Sequence, residues 1–258
     1  MSEKHMNTQA QQSARFEGRV ALVIGAGRGI GRAIAEQLQA EGATVYGTSR
    51  DAQNAAEIAE RHGTAPVQID LRDTASILAG VDAVIAHAGR IDLLVNNGGV
   101  NAPARALDVT EDDWNLVHET NVRGTFFASQ AVAKHWIAED RPGSIVSITS
   151  QAGVVAVEER AAYASSKAAV IHLTKVLALE WASAGIRVNS VAPTFVRTEL
   201  TASTLARPEW AAELLRRIPL GRYGEPEEVA NAACYLLSDG ASLITGHTLV
   251  TDGGYTIR

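Results

Sequence analysis

The chain has 258 residues, 46% of them apolar and 20% charged, and its 23 basic and 29 acidic residues leave a formal net charge of −6. That composition excludes a disordered or fibrous protein, and the acidic balance argues against nucleic acid as the main partner, since phosphate binding needs clustered Lys and Arg. Cys234 is the only cysteine, so neither an intrachain disulfide nor a thiolate zinc site can form, which fits a reducing, cytoplasmic setting.

No apolar run approaches the ~20 residues of a membrane-spanning helix, and residues 1–15 are expected to be a flexible polar tail ahead of one domain over 16–258. From Arg19, RVALVIG reads as a buried parallel strand that ends in glycine. Ile30, Ala33, Ile34, Ala35 and Leu38 then recur at helical spacing as far as Gly42. The cycle repeats with TVYGTS (44–49), a helix from about Ala52 to His62, APVQID (65–70), a short helical piece and IDLLVNN (91–97). A long helix from about Glu111 to Ala138, GSIVSITS (143–150), a helix near 160–183, IRVNSVAP (186–193) and TLVTDGG (248–254) follow. Parallel strands need helical crossovers, so this alternation predicts an α/β protein: a Rossmann-type, doubly wound parallel sheet with helices on both faces. Residues 194–222 interrupt the pattern with Pro208, Pro219 and Gly221 and are expected to form a substrate flap.

Between the first strand and the first helix stands G-x-x-x-G-x-G, at Gly25, Gly29 and Gly31, with Arg28 and Ile30 inside it. Glycines let the backbone approach a pyrophosphate, and a helix N-terminus offers free N–H groups at its positive dipole end, so the turn predicts a dinucleotide. An NAD site places a carboxylate at the end of the second strand, where it accepts the ribose hydroxyls. Here Ser49 takes that place and Arg50 follows. Arg28 and Arg50 can clamp a 2′-phosphate through charge-assisted bonds, which predicts NADP(H), with Asp51 capping the next helix.

Ser150 ends the fifth strand, and Tyr163 and Lys167 lie four apart on the following helix. Residues at that spacing share a face, so the ammonium can stabilise a phenolate whose unperturbed pKa is about 10. With these motifs in place the chain resembles the short-chain dehydrogenase/reductase family from about Arg15 to Arg258. The glycine turn matches the family's cofactor motif, with Ile24 where threonine is usual. Asn96-Asn97-Gly98-Gly99 resembles its Asn-Asn-Ala-Gly element, and Asn121, Ser150, Tyr163 and Lys167 match its tetrad in order and spacing.

The resemblance implies that Tyr163 protonates a carbonyl oxygen as hydride arrives from the nicotinamide. Lys167 would hold the nicotinamide ribose and lower the tyrosine pKa. Ser150 would hydrogen-bond the reacting oxygen, and Asn121 would hold a water that joins Lys167 to solvent. It also implies cofactor contacts from Asp70 and Leu71 near the adenine, from Asn97 and Gly98, and from Pro193, Val196 and Thr198 beside the nicotinamide. Thr194 departs from the family's Pro-Gly.

The expected activity is NADP(H)-dependent interconversion of a carbonyl and a secondary alcohol on a small ketone or carbohydrate-like substrate. A 3-oxoacyl-(acyl-carrier-protein) reductase and a non-catalytic NADP(H)-binding sensor are the alternatives, the first weakened by Ala184 where a second docking arginine is common beside Arg141. The histidines lack the paired spacing of a zinc site, so no metal is expected. A homotetramer is expected from the helices near 111–138 and 160–183 and the C-terminal strand. Trp114, Phe126, Phe127, Trp136, Val176 and Leu179 give those helices much apolar surface.

Overall fold

The structure, a computed structural model, describes residues 15–257 apart from positions 200, 203–205 and 207. Seven parallel strands form one sheet in the order β3-β2-β1-β4-β5-β6-β7. They are β1 (Val20–Ile24), β2 (Thr44–Ser49), β3 (Val67–Gln68), β4 (Leu93–Asn96), β5 (Gly143–Ile148), β6 (Ile186–Pro193) and β7 (Thr248–Thr251). β1 is apolar and buried along its whole length, as a central parallel strand covered on both faces must be. Register pairs Ile24 with Thr48 on one side and with Asn96 on the other, so the ends of β1, β2 and β4 are level.

Helices α1 (Gly29–Ala40) and α8 (Pro226–Leu237) cover one face, where Ile34, Leu38, Val229 and Leu236 meet Val23, Val95 and Val146. The other face is covered by α3 (Thr74–Ala88), α5 (Gly124–Ala138) and α6 (Ala161–Trp181), which bring Ile77, Val81, Trp136 and Leu177 against Leu22, Leu94 and Ile145. α2 (Ala52–His62) packs on β2 through Ile58. The doubly wound arrangement read from the alternation is the observed one.

Four elements differ from the sequence reading. The short helical piece expected after the third strand is α3, which at 15 residues is as long as α5. β3 has two residues rather than six, at a sheet edge where only β2 pairs with it. The single helix expected over 111–138 is α4 (Glu111–His118), a π-turn at Glu119–Arg123 that contains Asn121, and then α5. Helix α8 was not anticipated at all. Its start is fixed by Pro226 in the first turn and by the Glu228 carboxylate, which accepts the Glu225 N–H at 2.9 Å.

Trp136, expected to add to a subunit surface, is fully buried and donates from Nε1 to the Ile91 carbonyl at 2.6 Å. Gly143 packs against its ring so closely that a Cβ there would lie 2.4 Å away. It belongs to the core, where truncation to alanine costs about 3–5 kcal/mol. Trp114 (41%) and Leu179 (83%) remain exposed. The tail expected over 1–15 lies outside the described residues except for Arg15, which pairs with Glu41 at 2.6 Å. In the expected flap, α7 (Pro208–Arg217) places Leu214 with Ile218, Tyr223 and Tyr255 in a small apolar cluster. Leu200, Ser203, Leu205 and Arg207 fall outside the described residues.

Candidate active site

Strand order reverses between β1 and β4, and in such sheets the crevice beyond the C-terminal ends of those strands is the ligand site. The glycine turn leaves β1 there, with Gly25 at φ +78° and Gly29 at +52°, values that need glycine. Arg28 precedes α1 without capping it through its side chain, so the first N–H groups of the helix stay open to an anion. Asn97 donates from Nδ2 to the Gly25 carbonyl at 2.8 Å. A Cβ on Gly31 would sit 2.1 Å from that carbonyl and 2.3 Å from Asn97 Nδ2, so no side chain fits. Thr198 reaches back over the turn, its Cγ2 3.1 Å from where a Cβ on Gly29 would be. Ile30 packs against the core.

Pro193 closes β6 in register with Thr251, and Val196 is buried and bridged to Gly224. Gly98 lies over Leu71, whose Cδ1 would be 2.6 Å from a Cβ at position 98. Asp70, next to Leu71, accepts the Arg72 N–H at 2.9 Å. At the end of β2, Ser49 Oγ accepts the Asp51 N–H at 3.3 Å, and Arg28 and Arg50 are exposed. The chain thus offers an uncapped helix start, a turn free of side chains and two exposed guanidiniums, which fit a phosphorylated dinucleotide.

The reaction side is assembled from β5, the π-turn and α6. Ser150 continues β5 in extended backbone, accepts the Ala152 N–H at 3.1 Å and donates to Gln151 Oε1 at 2.8 Å. Tyr163 stands in the first turn of α6. Burial holds its pKa above the ordinary tyrosine value, and the neighbouring Ser150 hydroxyl and the Arg160 charge act against that rise. Lys167 lies one turn further, 5% exposed, with Nζ donating to the Ile148 carbonyl at 2.9 Å and standing 5.6 Å from the Tyr163 ring centre. Desolvation lowers this ammonium to about 8.

Asn121 faces the same spot because the π-turn rotates it inward. Its Oδ1 accepts the Val100 N–H at 2.9 Å, and its Nδ2 donates to the Val100 carbonyl and to Ser166 Oγ, both at 3.0 Å. Both amide hydrogens are therefore taken, and only acceptor positions remain for a water. Gly99 fills the gap, where a Cβ would be 3.2 Å from Asn121 Oδ1 and 3.4 Å from Lys167 Nζ. The sequence pattern pointed to neither the contact of Gln151 with Ser150 nor the clamp on Val100. No residue type at those positions marks them.

The fold and site define a dinucleotide-dependent oxidoreductase of the doubly wound class. A family model described as enoyl-(acyl carrier protein) reductase matches residues 25–256. D-threitol dehydrogenase of Mycolicibacterium smegmatis is 42% identical over 97% of this chain and 100% of its own length. An NAD-dependent glycerol dehydrogenase of Listeria innocua is 39% identical over 93% of this chain and 94% of its own. Among solved structures, a gluconate 5-dehydrogenase from Burkholderia cenocepacia in complex with NADP and tartrate superposes with a TM-score of 0.91 at 36% identity, covering 96% of this chain and 99% of that one. The chain belongs to the short-chain dehydrogenase/reductase family, oxidoreductases that act on CH–OH groups.

Proposed function

We propose that this protein interconverts a small polyol or hydroxy-ketone with its oxidised partner using NADP(H), and that Asn121, Ser150, Tyr163 and Lys167 carry the reaction. The observation that carries the reading is the convergence of the Tyr163 phenol, the Ser150 hydroxyl and the buried Lys167 ammonium at the mouth of a turn that admits a dinucleotide. When bound, the dinucleotide supplies or accepts the hydride.

The protein moves the proton. In reduction, the phenolic O–H of Tyr163 breaks as the new alcohol O–H forms on the substrate oxygen. Ser150 donates to that oxygen once its bond to Gln151 is given up. Lys167 presents its charge in a dry setting to the phenolate left behind, and a proton from solvent restores the tyrosine. A Tyr163 pKa above the ordinary value keeps the acid form in place for reduction at neutral pH, whereas oxidation of the alcohol, which needs the phenolate, gains from alkaline solution.

Gly25, Arg28, Gly29, Ile30 and Gly31 would hold the pyrophosphate. Asp70, Leu71, Asn97 and Gly98 would line the adenosine side, and Pro193, Val196 and Thr198 the nicotinamide. Ser49, Arg28 and Arg50 favour the 2′-phosphate, in line with the NADP bound to the Burkholderia relative, although the Listeria relative is NAD-dependent by name. A small substrate is favoured over an acyl carrier because Arg141 is paired with Glu139 at 3.2 Å and position 184 is alanine. Exposed Trp114, Val176 and Leu179 support assembly into a homo-oligomer, which we take as a tetramer, and the single cysteine supports the cytoplasm as its location. A spectrophotometric screen of NADPH and NADH oxidation over ketoses, hydroxy-ketones, diketones and acyl thioesters tests the reading. Turnover confined to thioesters, or none with any carbonyl, overturns it.

A further inference from the structure

Gln151 is buried beside the reacting serine, and Ser150 is the only hydrogen-bond partner of its side chain among the described residues. Its Oε1 accepts the Ser150 hydroxyl hydrogen at 2.8 Å, while the Ser150 oxygen accepts the Ala152 N–H at 3.1 Å. A hydroxyl has one hydrogen and two lone pairs, so Ser150 keeps a single acceptor position, and the Tyr163 phenol is the neighbour placed to fill it. The hydrogens then run one way, from Tyr163 to Ser150 to Gln151.

The turn that carries these bonds is fixed on both sides. The Gln151 carbonyl accepts the N–H groups of Val154 and Val155, both at 2.9 Å. Gly153 presses on α6, where a Cβ would lie 2.8 Å from backbone atoms of Lys167 and Ala168. Phenol and phenolate make opposite demands on the serine held there. The phenol donates, which suits a serine whose hydrogen points to Gln151. The phenolate that takes a proton from an alcohol can only accept, and it needs that hydrogen turned toward itself. The turn strips the buried Gln151 oxygen of its donor, so the amide weighs against the phenolate.

We propose that Gln151 is a positioning residue that holds the Ser150 hydrogen away from Tyr163, keeps the proton on the phenol and so sets the pH at which alcohol oxidation begins. This rests on the oxidoreductase reading above and adds to it a residue that acts through Ser150. The charged groups that face Tyr163 are Arg160, with Glu159 beside it, and Lys167, whose Nζ is 5.6 Å from the ring centre. Lys167 sheds its proton at about 8, so the alkaline profile belongs to the pair. His118 on α4 meets Ser165 Oγ at 3.1 Å, and burial holds it below the ordinary histidine value, so it is neutral in this range. In the π-turn Glu119 is bonded to Arg72, and Arg123 to Arg72 and Thr74. Residues 97–104 and 150–153 carry no ionisable side chain. Gln151→Met therefore removes an acceptor without changing any charge around the phenol.

The test follows kcat for oxidation of the best alcohol against pH, with NADP+ in excess, in the wild type, Gln151→Met and Gln151→Glu. The methionine variant is expected to move the alkaline midpoint down by about one pH unit, because the serine hydrogen is free to serve the phenolate. The glutamate variant should move it up, since a carboxylate grips that hydrogen harder and repels the phenolate. A rate lowered at every pH with the midpoint unmoved in both variants, or a methionine variant displaced upward, overturns the proposal. The tyrosinate absorbance of each protein, less that of its Tyr163→Phe counterpart, reads the same midpoint with NADP+ bound and without turnover. A tyrosinate midpoint that follows position 151 in a protein that oxidises no alcohol keeps the role of Gln151 and sinks the oxidoreductase reading, while a midpoint indifferent to position 151 sinks the proposal.

Discussion

The Asp51 carboxylate accepts the backbone N–H of Asn54 at 2.9 Å, so the acidic side chain nearest the end of β2 is spent on capping α2. It therefore does not compete with a 2′-phosphate, and Arg50 beside it stays exposed. Replacing Arg50 with Asp removes one charge-assisted bond and adds a repulsion, which should weaken NADPH binding by about 1.5–3 kcal/mol, roughly 10–150-fold, and raise the relative use of NADH. The check is kcat/KM for both cofactors in the wild type and the variant. A wild type that uses NADH as well as NADPH removes the assignment.

Tyr163→Phe deletes only the phenolic oxygen, so turnover should fall about 10²–10⁴-fold while NADPH affinity, followed by fluorescence titration, changes little. Ser150→Ala should lower kcat less and leave Gln151 without its donor. A Tyr163→Phe variant that retains wild-type rates on the best substrate would refute the proton-donor role.

Legibility followed the strength of local signals. The run 20–24 and the glycine spacing after it announce β1 and the turn directly, because a buried parallel strand is uniformly apolar and only glycine takes the φ values at positions 25 and 29. Tyr163 and Lys167 were readable because the helical repeat puts them on one face. The π-turn at Asn121 was hidden, since ETNVRG holds no proline and continues the helical pattern. The turned-in amide is then held by its clamp on Val100, a contact between residues 21 positions apart. The start of α8 did carry a signal, Pro226 with Glu228 two residues on, but it follows a segment rich in proline and glycine and merges with it. The hold of Asn97 on the Gly25 carbonyl forms only once segments 72 positions apart are brought together in space.

Gly98 and Leu71 form a coupled pair. The family's alanine at position 98 would put a Cβ 2.6 Å from Leu71 Cδ1, in a layer also closed by Ile24. Gly98→Ala alone should cost about 1–3 kcal/mol by overpacking, and Leu71→Val alone about 0.5–1.5 kcal/mol by leaving a void. Combined, the new methyl fills the space that the lost one leaves, so the double variant should be more stable than the sum of the two predicts. Urea unfolding of all four proteins measures the coupling, and strict additivity would show that the two side chains do not meet.

The buried Lys167 ammonium should make the protein weakest where its proposed chemistry needs the charge. Its pKa is lowered from about 10.5 in the unfolded chain to about 8 in the fold by desolvation. Below pH 8 both states hold the proton, and the folded state bears the full penalty, about 3 kcal/mol at 1.36 kcal/mol per unit. Between about 8 and 10.5 the unfolded chain binds more protons than the folded one, so stability rises with pH across that window. Lys167→Met removes the titrating group along with the bond to the Ile148 carbonyl, whose loss costs about 1–3 kcal/mol at every pH. The wild type should therefore gain about 3 kcal/mol on the variant between pH 7 and 10.5, other titrations cancelling in the difference. Urea unfolding of both proteins without cofactor at pH 7, 8.5 and 10 reads this directly. A stability difference that stays constant over the series would mean that Lys167 is not desolvated in the fold.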